Sequence, residues 1–278
     1  MNEQFLQQKW LQTGNGKICY FFSQEFENRP TAVFIHGLSS NHTTWLAAAG
    51  ALREQKLNYL MPDLRGHGYS DKTKRRNLYK FSVFGDDLKK IIEKEKLSQI
   101  ILIGYSFGGY IALDYAIKNS FSPLALILIS ANHVNPLKYT KINFLTWPIF
   151  GILNLLAWLF LWQRRKKYYY YNQSTATGYW HSTFKGFTTM PISLNFWMLS
   201  EIANLDLSRD LAKIVCPTLI IKSKSDPFLS QTEADDMLSK IKSAQIIIMN
   251  EASHFLASRY QEKVLDIIKN FLGEQKTI

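Results

Sequence analysis

Gln99-Ile100-Ile101-Leu102-Ile103-Gly104-Tyr105-Ser106-Phe107-Gly108-Gly109 is the stretch whose reading decides the fold. Residues 99–103 are a short, continuous, mostly β-branched run, the pattern of a strand buried on both faces. A helical pattern follows from Tyr110 to Lys118. Between the two, glycines omit the side chains that would collide in a tight strand-to-helix turn. Such a turn leaves Ser106 exposed at the C-terminal end of the strand. The Phe107 amide and the positive end of the helix then face the same space. A glycine-rich turn with an incidental serine gives the same string, but the strand before and the helix after favour a nucleophile.

Working outward, residues 31–35, 58–61, 124–129, 218–222 and 245–249 also read as buried strands. Helical faces lie between and after them. Phe84, Leu88, Ile91 and Ile92 share one face, with Ser82 as the expected N-cap, and Val264, Ile267, Ile268 and Phe271 share another. Strands alternating with amphipathic helices predict an α/β fold, a mostly parallel sheet flanked by helices on both sides.

Residues 132–210 break the alternation. They hold no clear strand, and Ile142 to Gln163 carries no charge before Arg164-Arg165-Lys166-Lys167-Tyr168-Tyr169-Tyr170-Tyr171. The expected division is a core domain from 1–131 and 211–278, interrupted by a helical insertion at 132–210. A transmembrane helix needs roughly 20 apolar residues. One crossing here would put Ser106 and the later strands on opposite sides of a bilayer, and Pro148, Gly151 and Asn154 interrupt the run. Two readings stay open: helices packed on the core and the substrate pocket, or a surface seated in a membrane interface, where Trp158 and Trp162 beside basic residues and tyrosines are favoured.

A serine nucleophile needs a base, and the base needs an orienting acid. The histidines are His36, His42, His67, His133, His181 and His254. His254 follows the last expected strand, on the sheet edge where Ser106 emerges, and Asp226 follows the strand at 218–222. Ser106, Asp226 and His254 thus run in the order that an elbow of this kind requires. His133 precedes every acid of the later strands, and Ser130-Ala131-Asn132-His133 offers no carboxylate, so Asp226 is favoured partly by elimination.

Composition sets the outer limits. With 278 residues, 46% hydrophobic and 20% charged, the chain can bury a large core. Two cysteines, Cys19 and Cys216, give no disulfide framework. Residues 1–10 lack the basic start and apolar stretch of a secretory signal, so a cytoplasmic location is expected, with peripheral membrane attachment left open. A net charge of +11 raises the question of nucleic acid, but basic residues are spread along the chain without zinc-ligand spacing or an aromatic RNA-binding signature. No nucleic-acid partner is expected.

Taken with the elbow, three further segments resemble the α/β-hydrolase superfamily: Phe34-Ile35-His36-Gly37-Leu38, Pro62-Asp63-Leu64-Arg65-Gly66-His67-Gly68-Tyr69-Ser70, and Val215-Cys216-Pro217-Thr218-Leu219-Ile220. The resemblance implies an oxyanion hole from the backbone N–H groups of Phe107 and Leu38, a catalytic triad of Ser106, Asp226 and His254, and no metal or organic cofactor. It implies structural roles for His36, His67 and Asp63, and gives no motif support to Asp114. It also identifies 132–210 as a cap between the sixth and seventh strands. Serine at 106 sets the chain apart from relatives with aspartate or cysteine there. The function implied is hydrolysis of a carboxylic ester with an apolar, lipid-like acyl group, such as a monoacylglycerol. Two rivals stand: a lyase or carbon–carbon hydrolase resembling the menaquinone-pathway enzyme, though Tyr110 replaces the arginine that family tends to carry, and a lipid-binding protein without catalysis.

Overall fold

A computed structural model describes residues 6–119, 122–163, 168–170, 187–251 and 253–275. The strands are β1 Gln7–Thr13, β2 Gly16–Ser23, β3 Thr31–Ile35, β4 Asn58–Pro62, β5 Ile100–Tyr105, β6 Ala125–Ile129, β7 Thr218–Ser223 and β8 Ala244–Met249. They form one sheet in the order β1-β2-β4-β3-β5-β6-β7-β8. From β4 to β8 neighbours pair in parallel, whereas β1 and β2 run antiparallel at one edge.

The central strands read as continuous apolar runs because both faces are buried. Along β5, Ile100 and Leu102 enter one core and Ile101, Ile103 and Tyr105 the other; β6 divides in the same way. Each such side chain contributes roughly 1.5–3 kcal/mol by leaving water. Helices α1 (Leu46–Arg53) and α8 (Gln261–Glu274) cover one face. On the other lie α2 (Phe81–Lys94), α3 (Phe107–Lys118) and α6 (Gln231–Lys240). The short helix α7 (Leu256–Arg259) leads into α8. The chain goes from β3 outward to β4 and then returns past β3 to β5, so the winding direction reverses between β3 and β5. A crevice at the carboxyl ends of those two strands is where such sheets bind ligands.

Two sequence expectations need correction. The hairpin β1–β2 was not foreseen: β1 is largely exposed and polar, so its pattern is that of an edge strand rather than of the core. Ser82 is not the N-cap of α2. That helix begins at Phe81, after Lys80 in an extended conformation, and buried Phe81 packs 5.2 Å from the Phe107 ring, which fixes the entry of the helix two residues earlier.

The segment between β6 and β7 contains α4 (Thr146–Leu159) and α5 (Ile192–Ala203), packed against each other. Its ends are clasped by an antiparallel bridge between Val134 and Asp206, flanked by Asn135 N–H to Leu205 O at 2.8 Å and Leu207 N–H to His133 O at 2.9 Å. Leu194, Trp197 and Met198 of α5 join the core beneath, with Trp197 stacked on Tyr79. Among the described residues, no helix is long and apolar enough to cross a membrane. His181, Tyr171 and the basic run 164–167 lie outside the described residues.

Candidate active site

β5 hands over to α3 at Ser106, whose backbone has φ 50° and ψ −115°. That conformation is strained for a residue with a side chain, at a cost on the order of 1–3 kcal/mol. The glycines make it possible. A Cβ on Gly104 would lie 2.6 Å from Gly109 Cα, and one on Gly108 would lie 2.2 Å from the Ile35 carbonyl oxygen. The first turn of α3 therefore rests directly on the end of β3. Ser106 N–H donates to Ile129 O at 2.9 Å, which ties the turn to β6 as well.

The structure brings Ser106, His254 and Asp226 into one line. Ser106 Oγ is 2.8 Å from His254 Nε2. His254 Nδ1 lies 2.9 Å and 3.1 Å from the two carboxylate oxygens of Asp226. A carboxylate only accepts, so Nδ1 carries the proton and the Nε2 lone pair faces the serine hydroxyl. The Asp226 side chain is shut off from water, and the Phe228 N–H donates to its Oδ1 at 2.9 Å. Phe228 and Phe255 also stand edge-on to the imidazole at 4.8 and 5.4 Å, limiting its rotation. Ser106 itself is half-buried rather than closed off in the core.

The Phe107 amide is the first of α3 and has no partner within the helix. Leu38 lies in the loop after β3, which ends level with β5 because Ile35 pairs with Gly104. That loop is held from below by two buried imidazoles. Ser39, at φ 61°, donates its N–H to His67 Nε2 at 3.1 Å, while His67 Nδ1–H donates to Arg65 O at 3.0 Å. His36 Nε2 accepts from Leu64 N–H at 3.0 Å and its Nδ1–H donates to Gly37 O at 2.8 Å. Burial pushes the pKa of His36 down to about 4 and that of His67 well below its usual value, so both are neutral struts.

Asp63 is fully buried and accepts from the His42 amide, the His42 ring and the Tyr69 amide, each at 2.8–2.9 Å. Burial alone would raise its carboxyl pKa, but the hydrogen bonds from the His42 ring and the Tyr69 amide hold it below the usual range. Asp114 pairs with Lys118 on α3, at 2.5 Å. His133 forms a third histidine–carboxylate pair, with Asp236 of α6 at 2.7 Å, and makes no bond to Ser106. Among the described residues, no cluster of histidine, cysteine or carboxylate side chains could hold a metal ion.

Three residues of the surround had no sequence signal. Phe228 secures Asp226; Asn132 Nδ2 donates to Phe228 O at 2.9 Å and so ties the acid loop to the end of β6; and Asn195 of α5 accepts from Ser39 Oγ at 2.5 Å. Ser39 and Asn195 are 156 residues apart, which no local pattern reveals.

A model described as the alpha/beta hydrolase family matches residues 32–267. The chain belongs to that family. The match covers both the elbow and the loops bearing Leu38, Asp226 and His254. An uncharacterized protein of Mycobacterium tuberculosis is 31% identical over 105 residues, 38% of this chain but only 30% of that protein. The 3-oxoadipate enol-lactonase 1 of Acinetobacter baylyi is 26% identical over 88% of this chain and 90% of its own length. Among solved structures, a bacterial membrane phospholipase A superposes with a TM-score of 0.76 at 22% identity, covering 99% of this chain and 88% of that one. At such identities the structural likeness carries the fold and not the substrate.

Proposed function

We propose that the chain is a serine hydrolase that cleaves a carboxylic ester carrying an apolar, lipid-like acyl group. The observation that carries this reading is the hydrogen-bonded line from Ser106 Oγ through both ring nitrogens of His254 to the buried Asp226.

In this reading His254 Nε2 takes the hydroxyl proton as Ser106 Oγ attacks the ester carbonyl, and the carbonyl electron pair moves onto oxygen. The N–H groups of Phe107 and Leu38 stabilise that oxyanion, each donor being worth about 10²–10³ in kcat. As the tetrahedral centre collapses, the ester C–O bond breaks and His254 returns the proton to the departing alcohol. Water repeats the cycle on the acyl-enzyme and releases the acid. Asp226 holds Nδ1–H, steadies the imidazolium, and does not take the proton itself. No cofactor enters any step.

The apolar acyl preference draws on the segment 132–210, which we read as a cap over Ser106. Its helix α5 contributes Asn195, bonded to Ser39 beside Leu38, so the cap and the oxyanion loop are coupled. Within that segment, Ile142 to Gln163 carries no charged residue, which suits a fatty acyl chain, as in a monoacylglycerol, better than the polyanion of the lyase reading.

The test is turnover of p-nitrophenyl esters from acetyl to palmitoyl by the native chain and by Ser106→Ala. Rates that rise with chain length and vanish in the variant support the reading. Turnover restricted to acetyl and propionyl esters removes the lipid-like acyl group from it. A folded protein inert toward every ester overturns it and moves the lyase and binding readings forward.

A further inference from the structure

Helix α4 breaks the usual rule for a surface helix. Such helices are apolar on one stripe and polar on the other. In α4 the inward side supplies Ile149, Phe150, Leu153, Leu156 and buried Ala157, while the outward side is apolar as well. Phe144, Trp147, Ile152, Leu155, Trp158 and Trp162 recur at steps of three to five residues and so line one face. Trp147, Trp158 and Trp162 are exposed at 72%, 66% and 75%. A run of large apolar groups of this extent, presented to water, marks an interaction surface.

The chemistry around the patch selects the occupant. Ile142 to Gln163 contains no charged residue, but its surroundings are basic. Lys141 is exposed at the approach to α4, the Arg76 guanidinium lies over the Phe150 ring at 5.4 Å, and Lys74 Nζ donates to Leu161 O. The nearby carboxylates are partly offset: Asp206 is bonded to Lys138 at 2.8 Å, and burial raises the Glu201 pKa towards the neutral form, against the charges of Arg76 and Lys80. An apolar strip rich in tryptophan and edged by cations, on a chain of net charge +11, matches the boundary between headgroups and acyl chains of an anionic bilayer. A second copy of the chain would bring the same cations face to face. At 14 residues, with Pro148 and Gly151 within it, α4 is too short to cross and suited to lie in the plane.

We infer that the outward face of α4, with Phe144 and Trp162 extending it at either end, seats this protein on the surface of an anionic lipid bilayer. The insertion that we read as a cap is then the part of the molecule nearest its lipid. The inference goes beyond the ester-hydrolase reading and is measured without turnover.

The test uses the full chain with vesicles of phosphatidylcholine, alone and mixed with phosphatidylglycerol. The readouts are co-sedimentation and quenching of tryptophan fluorescence by brominated acyl chains. Wild type is expected to sediment with the mixed vesicles, more weakly with phosphatidylcholine alone, and to be quenched. Trp147→Ser/Trp158→Ser/Trp162→Ser, which alters only exposed side chains, should weaken binding by more than about tenfold while leaving hydrolysis of a short soluble ester unchanged. Leu155→Glu should act in the same direction, and Ser106→Ala should bind like wild type. Wild-type protein that stays in the supernatant overturns the inference. So does a dimer, seen by light scattering, that the triple variant dissociates, because the face would then be a contact between copies.

Discussion

Ser106 Oγ lies 2.8 Å from His254 Nε2 although 148 residues separate them, and they meet because β5 and β8 run parallel and release their loops at the same sheet edge. In such a sheet the distance along the chain is irrelevant to chemistry. What matters is that β5, β6, β7 and β8 are consecutive neighbours, so that each C-terminal loop can contribute one group. Asp226 follows β7 for the same reason.

The orienting acid is tested by Asp226→Asn. An amide accepts at one atom only, and its NH₂ favours the wrong imidazole tautomer. Steady-state kinetics should give a kcat lower by about 10³–10⁴ with KM little changed. A loss below about tenfold would assign the orienting role elsewhere.

The pair His133–Asp236 looks similar in composition, but among the described residues no serine is bonded to the His133 ring. Its expected role is to bind the start of the insertion to α6. His133→Ala should leave kcat/KM on a soluble ester within about threefold while lowering stability by about 2 kcal/mol in urea titration. A collapse of kcat with unchanged stability would contradict this.

Stability should fall on mild acidification. Burial lowers the folded-state pKa of His36 to about 4, and also lowers those of His67 and His133. The unfolded chain then binds more protons than the folded one below about pH 6.5, so stability is fully present above that value and is lost as pH falls toward the folded pKa. For His36 alone the shift corresponds to roughly 3 kcal/mol. Thermal melts from pH 7.5 to 4.5 should show a falling Tm, and His36→Gln should flatten the slope. A Tm that is constant across that range would refute it.

The turn at Ser106 tolerates no Cβ at Gly104, where the obstruction is backbone and cannot swing aside. Gly104→Ala should cost about 2–4 kcal/mol or prevent folding, and any folded fraction should be poorly active. Wild-type stability and turnover in this variant would show that the elbow is looser than described.

How much of this was legible beforehand varies with the range of the interaction. Five of the six parallel strands were readable because burial on both faces removes polar residues from the run, as in Thr31–Ile35, which needed no change of boundary. β8, expected to be buried, is instead a half-exposed edge strand with Gln245 and Ile248 facing water. β2 escaped although Ile18 to Phe22 are all buried, and β1 because it faces water. The signal available was the pair Gly14-Asn15 between Thr13 and Gly16, which closes the hairpin. Ser106, Asp226 and His254 could be ranked because each sits just beyond a strand. Asn195, Asn132 and Phe228 could not, since their partners are fixed only by how the insertion and the acid loop pack on the sheet.

The most direct test of the central claim is covalent. The native protein, treated with a fluorophosphonate and digested, is read by peptide mass for the phosphonyl adduct. A nucleophile primed by His254 predicts one adduct, on the peptide containing Ser106, absent in Ser106→Ala and slowed at least a hundredfold, on the order of the loss of a general base, in His254→Ala. Labelling that persists on another residue in Ser106→Ala, or proceeds equally fast without His254, would contradict it.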